Sequence, residues 1–570
     1  MENTNGPAQE EKINNVPTKS IEKVEKQDET RQISRFRIAL PQILASTAKN
    51  MILLDLGMTI AFPTIVIPAL LNNHSDHGMK FTVTEASWFG SIAFICQPLG
   101  SIASGIVLEP LGRKYSLMVV NIPHFVGWLM YYFAQSTRTI FIASVIMGLG
   151  VGFMEAPIIT YVGEICEPRL RGVLISYSNL FFSFGLVFIY ALGNITDWQT
   201  TAAISAAIPF ITFLAITQVP ETPYWLLSHG RLADAEKSLC WLRGWVKPDA
   251  VQKEFQEMVK YSKDSKYSRP KAIDENAYNN EVNLDDEKPS SDTKKQSEQK
   301  DTHEVVEKQA NGECKESVKV EMKSSEKCKN EKSAEHCEGD KATFQEYVKD
   351  MMRPEMIRPL ALVVGFFFFS NFAGVSAMRP YQIKVFTDLG FPLDPYRATV
   401  IMSVNTFTAT VLCMVAVKWL GKRRLALLSL ASCAFMMYCV SLFAKLNESG
   451  IEGNLPEISW FPFAIYFILQ FFFSFGVSTV PWMLVSEIFP YRGRSLMSGL
   501  AAALSYVLSF AATKTFLGLE ELLTLSGVTC LYATSSLIGF CIMYRYLPET
   551  EGKSLEEIEK TFSKKSKQGK

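Results

Sequence analysis

Only 6 of the 570 residues are histidine, and the 11 cysteines form no C-x-x-C pair and no Cys/His set with zinc-ligand spacing. That excludes a zinc module and a disulfide-stapled secreted domain. Net charge is lacking too: 57 Lys and Arg balance 57 Asp and Glu. No basic run alternates with aromatics, so nucleic acid is not an expected partner. Residues 1–37 hold no short apolar core of a cleavable signal, so the first apolar run must itself direct insertion. There is no Asp-rich metal motif and no His/Glu metal pair. No metal site, no cofactor and no enzymatic activity are expected.

What is abundant is apolar surface. Hydrophobic residues make up 48% of the chain, with 39 Phe, and mean hydropathy is +0.10. The charges cluster in residues 1–37, 247–350 and the last twenty positions, leaving long stretches nearly free of them. A bilayer core of ~30 Å needs ~20 apolar residues per helical crossing. Twelve such runs can be read, at 51–71, 87–108, 115–134, 140–165, 173–192, 202–219, 357–378, 398–419, 425–443, 461–485, 496–516 and 523–546. Backbone groups inside lipid must be satisfied within each segment, and strand-like alternation is absent, so the runs are helices. The expected fold class is an all-α membrane protein with twelve transmembrane helices in two pseudo-symmetric six-helix halves.

Basic residues set the orientation. Arg31, Arg35 and Arg37 precede the first run, Arg113 and Lys114 follow the second, and Arg169 and Arg171 follow the fourth. Lys422, Arg423 and Arg424 follow the eighth, and Arg492 and Arg494 follow the tenth. Both termini and all these loops are therefore expected in the cytoplasm. The sequons at Asn73, Asn194 and Asn447 all fall on the opposite side. Asn73 and Asn447, in the roomier loops, are the expected glycosylation sites. The expected organisation is a disordered tail at 1–40, one half at 41–219, a cytoplasmic loop at 220–356, the other half at 357–546 and a tail at 547–570. Helical apolar spacing marks 224–261 of the loop. Residues 262–340, rich in Lys, Glu, Ser and Asn, are too poor in apolar residues to offset the entropy of ordering. They are a candidate region for binding regulators, or a passive linker.

The halves repeat each other. Glu164 through Arg171 ends the fourth run and Glu487 through Arg494 ends the tenth, after Pro157 and Pro481. Leu111-Gly112-Arg113-Lys114 matches Leu420-Gly421-Lys422-Arg423, and Val219-Pro220-Glu221-Thr222 matches Leu547-Pro548-Glu549-Thr550. Parallel six-helix halves are a transporter layout with the substrate at the midplane between them. The paired acids and bases at the cytoplasmic ends suit ion pairs that break and re-form as one side opens. Each is weak enough, ~0–1 kcal/mol when exposed, to serve a bistable switch.

Several motifs together resemble the sugar porter family of the major facilitator superfamily. They are Gly105 to Lys114 with Glu109, the Gly148, Gly150 and Gly152 series, Tyr161 to Gly172, Pro220 to Pro223, Pro481 to Arg494, and Pro548 to Ile558. The likeness spans nearly all of the chain outside the N-terminal tail and the insert. Trp225-Leu226-Leu227, Arg379-Pro380-Tyr381 and Thr513 to Phe516 are similar to the insect facilitated trehalose transporter group. The resemblance implies a major facilitator fold in the plasma membrane. It implies facilitative transport of trehalose or a hexose by alternating access, with a small sugar and the lipid bilayer as partners. It carries gating roles onto Glu109, Arg113, Glu164, Arg171, Glu487 and Arg494. It places substrate contacts at Asn179, Ser370, Asn371, Ser376, Trp482 and Ser505. Most of these depart from the family's usual amides: Asn179, Ser370 and Asn371 stand where glutamines are usual, and Ser376 and Ser505 where asparagines are. Tyr506 stands where the family has Trp.

Two acids lie inside the runs, Asp55 and Glu155. A central carboxylate costs ~2.5–3.5 kcal/mol to insert, which makes each a functional candidate. The resemblance places Glu155 toward the cavity, where it is a substrate-site candidate and could take up a proton in symport or draw in a cationic solute. Asp55 is expected to make an interhelical hydrogen bond. Two other readings stay open on the sequence alone: a proton-coupled or cation-selective carrier that uses Glu155, and a non-transporting sensor whose insert signals to partners.

Overall fold

The computed structural model describes residues 35–71, 79–264, 354–449, 460–489, 494–551 and 562. Among these residues the regular structure is helical. Nine helices are long and apolar enough to cross a membrane, and ten if the pair Met356–Asn371 and Val375–Asp388, bent by 51°, is one span. The last of them, Arg494–Tyr546, is 53 residues long but leaves helical geometry at Thr524, with φ 61° and ψ 171°. An unbroken helix of that length would run ~80 Å, more than two bilayer cores, so it is two crossings. With Arg113–Tyr132, 20 residues, the total is twelve.

In chain order the first half consists of α1 (Arg35–Leu71), α2 (Val83–Leu111), α3 (Arg113–Tyr132), α4 (Thr137–Phe153) with α5 (Glu155–Ile165), α6 (Pro168–Ile195), and α7 (Trp198–Ser205) with α8 (Ala207–Thr217). Short helices α9 (Pro223–Ser228), α10 (Leu232–Leu242) and α11 (Gln252–Asp264) follow the first half at one end of the bundle. The second half consists of α12 (Pro354–Asn371), α13 (Val375–Met378) and α14 (Gln382–Asp388), then α15 (Pro395–Leu420), α16 (Lys422–Glu448), α17 (Phe461–Phe472), α18 (Thr479–Glu487) and the broken α19 (Arg494–Tyr546). Most of the insert, 265–353, lies outside the described residues, as does Asn73.

The helix ends follow from local chemistry. Helices that start at the end of the bundle away from α9–α11, which we call the outer end and its opposite the inner end, are capped by their own loop side chains: Thr82 caps α2 in a capping box with Glu85, Ser136 caps α4, Asp197 caps α7 and Asp394 caps α15. Each accepts one of the first N–H groups that have no partner within the helix. At the inner face the chain turns from α2 into α3 on one residue, Gly112, at φ +90°, and from α15 into α16 on Gly421, at φ +78°. A Cβ is strained in that region, so glycine serves the turn.

Prolines bend the spans that carry the site. Pro157 cannot donate to the carbonyl of Phe153, and the fourth span breaks there at Met154. Pro481 likewise cannot donate to Val477, and the tenth span passes through a π-helical turn at Phe473–Val477. The glycine series of the fourth span is a packing seam: a Cβ on Gly148 would strike Ala93, and one on Gly152 the backbone of Gln97. Small residues let membrane helices approach this closely. The largest buried apolar cluster runs through both halves, and a smaller one built on Trp225, Leu227, Leu239 and Phe255 holds α9 to α11 together. Ile102, Ile106, Phe435 and Leu442 face outward, as a lipid-facing surface requires.

Candidate functional site

At the inner face each half builds the same device. The Glu221 carboxylate accepts the backbone N–H of Arg113 at 3.1 Å and of Lys114 at 2.9 Å, capping α3 from beyond the sixth span. Glu549 accepts the N–H of Lys422 at 3.0 Å and of Arg423 at 3.1 Å, capping α16 from beyond the twelfth. A carboxylate at a helix N-terminus meets both unpaired donors and the positive end of the dipole. Burial pushes the Glu221 carboxyl above its ordinary value, and the N–H groups of Thr222 and Lys114 pull the other way.

Ion pairs surround these caps. The Arg113 guanidinium lies 3.2 Å from Glu109 and 3.0 Å from Glu164. Burial opposes its charge, but the two carboxylates outweigh burial and hold its pKa above the usual range. Thr222 donates its hydroxyl to the other oxygen of Glu164 at 2.5 Å. In the second half Lys422 takes the place of Arg113, 2.6 Å from Glu487 and 2.7 Å from Glu551. The structure thus brings Glu109, Arg113 and Glu164 together and gives Glu487 a lysine partner. Arg171 and Arg494 lie in the first turns of α6 and α19, and their side chains are outside the described residues. Lys422 and Glu551 do not stand out in the sequence as ion-pair partners of Glu487, although the repeat aligns Lys422 with Arg113. Arg243 clamps the short helices α10 and α11 to the fourth span, 2.6 Å from Glu254 and bonded to the Ile165 carbonyl at 3.2 Å.

The central residues lie between the halves. Tyr506 of α19 donates its hydroxyl to Glu155 at the start of α5. The Tyr506 ring lies 6.1 Å from that of Trp482, which meets Phe367 edge-on at 4.9 Å. Asn371, at the break of the seventh span, accepts from the Ser509 hydroxyl at 2.8 Å and donates to the Phe367 carbonyl at 2.9 Å. Glu155, Trp482, Asn371 and the carbonyl of Ser505, which accepts from Ser509 at 3.0 Å, therefore form one connected wall. Ser370 is buried at the end of α12 beside Asn371. Ser376 is half-buried beyond the break and Asn179 half-buried on α6, and neither is bonded into this wall. Asn447 is half-buried, with its amide donating to the Asp388 carbonyl at 3.0 Å.

Asp55 is buried away from this wall. It pairs with Nδ1 of His124 and accepts from Nε1 of Trp128 at 2.7 Å, joining the first span to the third. A buried Lys49, whose Nζ donates to Ser178 at 3.0 Å, ties the first span to the fifth. The sequence reading missed both Lys49 and the His124–Trp128 pair. The uncharged apolar run begins only at Met51, past Lys49, and periodicity alone does not choose a partner helix.

Across the halves, Thr64 donates to the carbonyl of Arg379 at 2.9 Å, and Ser87 donates to the carbonyl of Lys514 at 3.1 Å. The Lys514 ammonium lies 4.1 Å over the Trp88 ring. Deeper, Ser183 meets Thr410 at 3.0 Å. These bonds and the Tyr506–Glu155 bond lie at the outer and central levels. At the inner face, the ion pairs among the described residues each join groups of one half.

A family model described as "Sugar (and other) transporter" matches residues 42–281 and 290–562. The chain is 27% identical over 522 residues to the facilitated trehalose transporter Tret1 of Polypedilum vanderplanki, covering 91% of this chain and 87% of that one. It is 25% identical over 521 residues to the protein of the same name from Culex quinquefasciatus, covering 91% and 85%. Among solved structures, the xylose transporter XylE from E. coli in an inward-open conformation superposes with a TM-score of 0.63 at 17% identity, over 92% of this chain and 99% of that one. A XylE structure with bound 6-bromo-6-deoxy-D-glucose, described as a proton:xylose symporter, gives 0.63 at 18% identity over the same shares. These two structures share the fold.

Proposed function

Since the chain belongs to the sugar transporter family, we propose that it carries trehalose or a hexose down its gradient across the plasma membrane. Both termini then lie in the cytoplasm. The wall of Glu155, Tyr506, Trp482, Asn371 and Ser509 is the observation that carries this reading. It offers what a polyol needs: a flat indole face, an amide with spare donor and acceptor capacity, and hydroxyls of both roles. It draws on both halves, so moving one half against the other changes which side can reach it.

The closed outer side supports the alternating cycle. Thr64–Arg379 and Ser87–Lys514 hold the halves together there, while the inner ion pairs stiffen each half separately. Rocking toward the outside breaks a few hydrogen bonds, each neutral one worth about 1 kcal/mol net, together with the contacts of the Lys514 ammonium to Ser87 and Trp88. Binding energy of that size can be supplied by a sugar that makes better contacts in the closed form. Arg171 and Arg494, at the mouths of the fifth and eleventh spans, are proposed to complete the inner gate when the outside opens. Residues 262–340 are proposed as a docking region for regulators.

The test is uptake of labelled trehalose into oocytes expressing the full chain, with excess glucose as competitor. Saturable uptake blocked by trehalose and not by glucose supports the disaccharide, and uptake blocked by glucose supports a hexose. No uptake of either, with the protein verified at the surface, rejects the reading.

A further inference from the structure

Arg379 opens a short 3-10 turn at Arg379–Tyr381, on the outer arm of the broken seventh span. It is half-buried between the halves, and its guanidinium has no carboxylate partner among the described residues. Its electrostatic neighbours are two phenols, Tyr190 from the fifth span and Tyr466 from the tenth. Thr64 fixes the arrangement, with its hydroxyl 3.2 Å from that of Tyr190 while donating to the Arg379 carbonyl at 2.9 Å. Because the Thr64 proton is used on that carbonyl, Tyr190 donates to Thr64. Tyr466 is fully buried, and its hydroxyl has no hydrogen-bond partner among the described residues.

The donor count is lopsided. A guanidinium carries five N–H donors and no acceptor, and the Tyr466 hydroxyl adds an unused donor. An unpaired cation is costly in a membrane interior, and so is a buried hydroxyl without a partner. One species relieves both: a small anion accepting from Arg379 and Tyr466 together.

We propose that Arg379, Tyr466 and Tyr190 form an anion-binding collar at the outer end of the cavity. Its occupant is either a free inorganic anion such as chloride or the carboxylate of an acidic sugar. Held there, the anion bridges the seventh and tenth spans to the fifth and favours the closed outer side. This site goes beyond the sugar reading and does not depend on it.

Thermal unfolding of the purified full-length chain in detergent tests it without any transport assay. Chloride is titrated against the bulky HEPES anion at constant ionic strength, and glucuronate is titrated in parallel. A ligand that binds the folded state raises the unfolding temperature by mass action. A saturable rise is expected in at least one titration, and Arg379→Gln should abolish it. A response to chloride identifies a free ion, and a response to glucuronate alone identifies an acidic sugar. Tyr466→Phe should weaken apparent affinity about tenfold, the effect of one hydrogen bond to a charged group. Without added ligand it should leave the unfolding temperature unchanged or higher. Flat titrations of the wild-type chain, or equal rises in wild type and Arg379→Gln, overturn the proposal. Should Arg379→Gln not fold, unaltered affinity in Tyr466→Phe overturns it instead.

Discussion

The inner ends of the two halves share one backbone plan and differ in their cations. In both, a glycine at positive φ joins two spans and a glutamate from beyond the half's last span caps the second of them. In the first half the cation is Arg113, whose planar fork spans Glu109 and Glu164 on separate elements. In the second it is Lys422, a compact charge between Glu487 and Glu551. Arginine holds a fixed geometry and lysine tolerates several. The comparison teaches that the repeat preserves the cap, which the backbone needs, and leaves the ion pair free to vary.

Three changes would sharpen that contrast. The largest effect is expected from removing a cap. Glu221→Ala strands the N–H groups of Arg113, Lys114 and Thr222 and should lower stability by about 3 kcal/mol, the scale of hydrogen bonds to a charged group. Thermal unfolding of the purified protein checks this, and Glu549→Ala should behave alike. A much smaller loss in one half would show that the caps are not equivalent.

The next effect separates the cations. Arg113→Lys should cost about 1–2 kcal/mol, because an ammonium lacks the planar fork that reaches Glu109 and Glu164 through separate nitrogens. Lys422→Arg should cost less than half as much. Equal losses would mean that geometry plays no part and that charge alone matters. The smallest stability change is expected at the centre. Tyr506→Phe removes one hydrogen bond to Glu155, so unfolding should shift little while the uptake rate changes by about tenfold. Glu155→Gln keeps an acceptor for Tyr506 and should retain uptake, with the same response to a proton gradient as wild type. Uptake that follows the proton gradient in wild type and loses that dependence in Glu155→Gln would instead make this a coupled carrier.

Much of the architecture was legible in the sequence, because lipid demands long apolar helices and charge segregation orients them. The separate runs at 496–516 and 523–546 fit the break at Thr524, but the helical geometry that continues across the join between them was not legible. Trp482, Asn371 and Glu155 stand out by resemblance, and the structure links them into one wall, which is the candidate site. Partnerships were harder. The repeat pointed to Glu487 but not to Lys422 as its partner, and Asp55 gave no sign of choosing His124 and Trp128. Which face of an apolar helix meets which neighbour depends on close approaches such as Gly152 against Gln97. Such contacts are long-range products of packing, and local sequence patterns do not encode them.

The central claim is that the halves must part at the outer side for solute to move. A crosslink between Ser87→Cys and Lys514→Cys, placed where Ser87 now donates to the Lys514 carbonyl at 3.1 Å, tests it most directly. Uptake should fall to background when the crosslink forms and return on reduction. Full uptake by a completely crosslinked protein would contradict the account.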